Sequence, residues 1–130
     1  MERDNDFGDR VDEVVKKDPR YKPQSYAFVM GALDYTLRKL EKPRHITGRE
    51  LLQGIKELAK EEFGPTAKLV LEHWGIKNTE NFGNIVFNLV EAGIMSKTEE
   101  DKIEDFKEVF DFTEEFEGKY KMKVDKEKLK

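Results

Sequence analysis

Through most of the chain, apolar residues return at intervals of three and four, the spacing that lines one side of an α-helix. Phe7, Val11, Val14 and Val15 make a short N-terminal stripe that Pro19 stops. Pro23 suits the opening turn of a second helix, in which Tyr26, Val29, Met30, Leu33, Leu37 and Leu40 form one face before Pro43 ends it. Because Phe28, Ala32 and Tyr35 widen that face, this helix is predicted to be central.

Local punctuation is clearer still in the middle of the chain. Thr47 and Glu50 have the spacing of a capping box, with Ile46 and Leu51 as its hydrophobic staple, so a helix is predicted to start at Gly48. Leu51, Leu52, Ile55, Leu58 and Ala59 supply its buried face, and Gly64 followed by Pro65 predicts a left-handed stop. Pro65 also suits the first turn of a short helix that places Leu69, Val70, His73 and Trp74 along one side and ends at Gly75, with Ile76 folding back on Leu71. Asn78 or Thr79 then caps a helix carrying Phe82, Ile85, Val86, Leu89 and Val90, and Gly93 with Ile94 repeats the same ending against Leu89. Gly83 inside that helix costs roughly 1 kcal/mol relative to Ala. Its presence predicts a close approach by a neighbouring backbone or ring, with Trp74 the expected neighbour.

Beyond Met95 the helical period fades. Thr98 to Lys107 is read as a short helix. Phe110, Phe112 and Phe116 fall on alternate positions, as do Tyr120, Met122 and Val124, which predicts a C-terminal β-hairpin around Glu117, Gly118 and Lys119. The predicted fold class is therefore mainly α: a compact bundle of about five or six short helices, with a helix-turn-helix-like pair and a possible C-terminal β-hairpin. At 130 residues one domain suffices, divided into a peripheral N-terminal helix (1–20), a helical core (23–95), an acidic segment (96–117) and a lysine-rich tail (118–130).

Composition changes this picture in three places. There is no cysteine, which excludes disulfides, thiolate nucleophiles and Cys-based metal sites. No apolar run approaches the ~20 residues that span a bilayer, and the start has no signal-peptide pattern, so the expected location is the cytoplasm, with no membrane partner. Only two glutamines, Gln24 and Gln53, stand among many Lys and Glu, a thermophile-like composition. The net charge of -4 conceals an uneven distribution: residues 96–117 carry three lysines against ten acids, and residues 118–130 carry six lysines against two acids. The two blocks either neutralise each other or are solvated; alternatively, one of them docks a charged partner.

Four stretches carry a resemblance: Tyr26-Ala27-Phe28-Val29, His45-Ile46-Thr47-Gly48-Arg49-Glu50-Leu51-Leu52, Leu71-Glu72-His73-Trp74-Gly75-Ile76 and Asn81-Phe82-Gly83-Asn84-Ile85-Val86-Phe87. Together they resemble a family of small bacterial proteins of unknown function. The resemblance implies no catalytic residue, and Asn81 stands where that family tends to have an acidic one.

Candidate chemistry is sparse. His45 and His73 lie in different segments without a zinc spacing, Ser25 and Ser96 lie in no nucleophile elbow, and no glycine group forms a phosphate loop. Asp101, Glu104, Asp105 and Glu108 lack the calcium-loop spacing and its turn glycine. No catalytic residue, cofactor or metal is therefore assigned. The candidate interaction surface is Trp74 and His73 with Asn81, Asn84 and Asn88, the asparagines sharing one helix face. Two functions lead, and an enzyme stays open should the fold gather His45, His73 and distant carboxylates into one pocket. The first is a non-catalytic protein-interaction or adaptor module with a protein partner, its acidic segment meeting a basic partner or its own tail. The alternative is a helix-turn-helix-like DNA binder using residues 66–95, because Asn reads adenine edges. Against nucleic acid, Lys68 and Lys77 are the only basic residues between Pro65 and Met95, too few for strong phosphate neutralisation.

Overall fold

In the structure, a computed structural model describing residues 2–95 and 102–118, helices stand on the stripes predicted between residues 7 and 90, with some of their ends placed differently. The five helices are α1 (Glu2–Lys17), α2 (Pro23–Arg38), α3 (Gly48–Phe63), α4 (Ala67–His73) and α5 (Thr79–Glu91). The chain is mainly helical, and the described residues include no strand. No helix among them is long and apolar enough to cross a membrane.

At the start of α3, Thr47 Oγ1 accepts from the Glu50 N–H at 3.1 Å while the Glu50 carboxylate accepts from the Thr47 N–H at 3.0 Å, closing the capping box. α4 and α5 end alike. Ile76 N–H donates to Leu71 O and Gly75 N–H to Glu72 O; Ile94 N–H donates to Leu89 O and Gly93 N–H to Val90 O. These are two Schellman motifs, each turning on a glycine with positive φ, 95° at Gly75 and 77° at Gly93. Gly75 has a second reason to lack a side chain: a Cβ there would strike the Arg20 carbonyl, and the adjacent Trp74 carbonyl accepts from the Lys22 N–H at 3.0 Å. The end of α4 is thus stitched to the α1–α2 linker.

Side chains from all five helices and from residues 102–118 meet in one apolar cluster. Val11 and Val14 of α1, Tyr26 and Val29 of α2, Leu52 and Ile55 of α3, Leu71 of α4, and Phe82, Ile85 and Leu89 of α5 are all buried in it. Helices α2 and α3 cross closely at Gly54, where a Cβ would overlap the Thr36 hydroxyl. That hydroxyl instead donates to the Ala32 carbonyl at 2.8 Å.

Several boundaries and contacts differ from expectation. α2 ends at Arg38 rather than near Pro43, because Lys39 and Leu40 donate to the carbonyls of Thr36 and Leu37, tightening the last turn before the chain leaves for α3. Gly64 has positive φ but a ψ of -134°, so it breaks α3 into a 3-10 turn, Gly64–Thr66, instead of forming a left-handed cap. α4 buries Ala67 and Leu71, whereas Leu69 is 68% exposed and His73 is exposed; with only seven residues, its inward side is set by the Leu71–Ile76 closure. Of the stretch Thr98–Lys107, the described part is a 3-10 turn, Ile103–Phe106. The expected first hairpin arm holds a π-helical turn over Thr113–Gly118, and the expected second arm lies outside the described residues.

Gly83 does make room for a ring, but the ring belongs to Phe106, not Trp74. A Cβ at Gly83 would lie 2.8 Å from Phe106 Cβ, and one at Gly48 would lie 2.9 Å from Phe106 Cε2. Two glycines, one opening α3 and one inside α5, form the socket into which Phe106 inserts, leaving it 2% exposed. Trp74 packs elsewhere, its ring centroid 5.7 Å from both Phe28 and Phe63.

Candidate interaction cleft

Flanking the buried face of α2 lie Met30 and Leu33, both half-buried, and the exposed Leu37. These residues form one wall of an open, largely apolar cleft of about 290 Å3. Leu51 of α3 and Val86 and Phe87 of α5 form its floor, and Ile94 and Met95, just past the Schellman turn, form the far wall. Phe106 and Asp105 pack beside Gly48 at the start of α3, and with Arg44, His45 and Thr47 of the adjoining α2–α3 loop they complete the lining, the polar residues at this end.

The polar end is largely neutralised from within. Arg44 donates to both oxygens of Glu50, at 3.0 and 2.7 Å, and also to the His45 carbonyl at 3.0 Å. The Arg44 guanidinium, then the Thr47 N–H, holds the Glu50 carboxyl well below its usual range, at about 2. Asp105 accepts from the Lys102 N–H at 3.2 Å, capping its own short turn. What the cleft offers a ligand is therefore apolar contact first.

The asparagine face expected on α5 has another role. Asn81 Oδ1 accepts from the Lys77 N–H at 2.8 Å and the Asn81 N–H donates to Asn78 Oδ1 at 3.0 Å, so both belong to the helix start. Asn84 donates to the Tyr21 hydroxyl at 2.8 Å; Asn88 donates to Asp18 at 2.8 Å and to the Tyr26 hydroxyl at 3.0 Å. Both asparagines are half-buried and tie α5 to the α1–α2 linker. His73 is exposed on the last turn of α4, while His45 lines the cleft. Trp74 is half-buried in its aromatic trio. The five candidate residues are not drawn into one site, and the cleft-lining Met30, Leu37 and Met95 were not singled out from the sequence. For Met30 and Leu37 the sequence signal is an apolar α2 stripe too wide for a single contact face; Met95, beyond the end of α5, has no such signal.

Among the described residues no group of three or more His, Asp or Glu side chains is placed to hold a metal ion. The acidic segment, for its part, meets basic helix residues. Glu115 lies 3.1 Å from Lys60 and 3.7 Å from Lys56, and Glu117 lies 3.9 Å from Lys68. The lysine-rich tail falls outside the described residues, apart from its first position.

The Asp18 network makes stability depend on acid. Arg20 donates twice to the Asp18 carboxylate, both at 2.7 Å, and with help from Asn88 lowers its pKa to about 2. Since this folded value lies below the unfolded one, its stabilisation is complete above about pH 4 and is lost as pH falls through 2. Arg20 is 60% exposed, so solvent screening limits the contribution to the order of 1 kcal/mol. Urea unfolding between pH 2 and 7 should show Asp18→Asn with a shallower acid decline than the parent chain, and parallel curves would refute the assignment.

Compared with known proteins, the chain matches no family model, no curated protein and no solved structure.

Proposed function

We propose that the protein is a non-catalytic interaction module whose apolar cleft between α2, α5 and the Phe106 turn receives an apolar side chain of a partner protein. The cleft itself carries this reading. At about 290 Å3 it lies just below the roughly 300–1,000 Å3 usual for small-molecule sites, and it suits one or two anchoring side chains. Met30 and Met95 line it, and unbranched thioether side chains adapt to ligands of differing shape. Arg44, paired with Glu50, stands beside its apolar lining, and a polar rim around an apolar patch is the anatomy of a protein contact.

The rival function, a helix-turn-helix-like DNA binder using residues 66–95, has less support. Reading adenine edges would require Asn84 and Asn88 to give up bonds to Tyr21, Asp18 and Tyr26. The two readings separate by experiment. With methyl-labelled methionine, titration of N-acetyl-leucine amide should give saturable NMR shifts at Met30 and Met95, and Leu37→Glu should abolish them. No shift in the parent chain, or a low-salt electrophoretic shift of duplex DNA with a salt slope, would sink the cleft proposal.

A further inference from the structure

The second surface to consider is a groove already filled by the chain itself. Lys56 and Lys60, one turn apart on α3, both reach the Glu115 carboxylate, and Lys68 of α4 faces Glu117. Lys56 also lies over the Phe110 ring, its Nζ 5.5 Å from the centroid. Phe112 and Phe116 are buried, 4% and 0% exposed, with Phe112 6.0 Å from Phe82 of α5. The segment is thus held by rings and carboxylates, with the Val109 N–H donating to the buried Thr79 hydroxyl at 3.1 Å.

We propose that this lysine-lined groove is a recognition site for an acidic, aromatic segment of a partner protein, and that residues 109–117 occupy it as an internal stand-in. Charge complementarity identifies the occupant. Two lysines converging on one point repel each other unless a carboxylate sits between them, so the groove calls for an acid flanked by rings. A pivot for release is also present: Glu108 has φ 49°, the one non-glycine residue with positive φ among those described, and it directly follows the anchored Phe106 turn. The π-helical turn beyond it, Thr113–Gly118, is a rare conformation that concentrates at functional sites. Leaving the groove would relax both features while Phe106 stays in its socket. This site is separate from the apolar cleft, and its failure would leave the cleft proposal standing.

Fluorescence anisotropy with a labelled peptide of residues 107–118 tests the idea on the full chain. Internal occupancy lowers the apparent affinity by the fraction of molecules that are open, so Phe112→Ala with Phe116→Ala should bind the peptide about tenfold or more tighter than the parent chain. Adding Lys56→Glu and Lys60→Glu should remove that binding. A folded Phe112→Ala/Phe116→Ala chain, verified by circular dichroism, that does not bind would overturn the proposal. If that variant does not fold, hydrogen exchange on the parent chain decides: amides of residues 109–117 should exchange about tenfold or more faster than the interior of α3 and α5. Exchange of the whole chain in one step would overturn it. So would dimers formed by swapping this segment, which would assign the groove to a second copy.

Discussion

Replacing Gly83 with leucine is expected to destabilise the fold by on the order of 3–5 kcal/mol, or roughly 10–20 °C in melting temperature for a chain of this size. The added Cβ would lie 2.8 Å from Phe106 Cβ and 2.9 Å from its Cγ, at the root of the side chain, where rotation brings no relief. The ring must leave its socket, so the variant loses Phe106 burial besides suffering the clash. At Gly48 the contact is with the far edge of the same ring, Cε2 and Cζ, which can tilt; Gly48→Ala should cost much less than Gly83→Ala. A thermodynamic cycle gives the sharper check. The Gly83→Leu/Phe106→Ala double variant should cost less than the two single changes summed, because each alone already removes the ring from its socket. Additive penalties, or an unaltered melting curve for Gly83→Leu, would show that the socket is not where the energy lies.

Asn88→Leu should be the second large effect, about 2–4 kcal/mol by urea denaturation, although leucine has the same number and branching of side-chain heavy atoms. Its amide joins Asp18 and the Tyr26 hydroxyl, groups sixty to seventy positions away in sequence, and an apolar replacement leaves the fully buried Tyr26 without its donor. Asn81→Ala, which removes only a local bond to Lys77, should cost about 1 kcal/mol or less. If Asn88→Leu proved neutral while Asn81→Ala did not, the asparagines would not be the internal ties described here.

What could be read from the sequence was whatever is decided within six or seven residues. The Thr47–Glu50 box, the glycine closures at Gly75 and Gly93, and the stripes of α2, α3 and α5 are local, and the fold follows them. Hidden from it were partners set by tertiary contact. Asn84 and Asn88 share a face as predicted, yet what that face meets depends on where the α1–α2 linker and the first turn of α2 lie. Gly83 signalled a close approach but could not say which ring arrives. Alternation of Phe110, Phe112 and Phe116 predicts one arm of a hairpin whose other arm lies outside the described residues; the three ring centroids lie 5.3–6.0 Å apart beside the π-helical turn, a clustering that alternation alone does not specify. The cleft is hidden from the sequence for the same reason, since its walls come from α2, α5 and the separate residues Ile94, Met95, Asp105 and Phe106.

The two-glycine socket also makes one ring answer to two helices. Its halves lie thirty-five positions apart and neither alone encloses Phe106, so whatever draws α3 away from α5 must also release the ring. A probe at position 106 would therefore register a displacement of either helix.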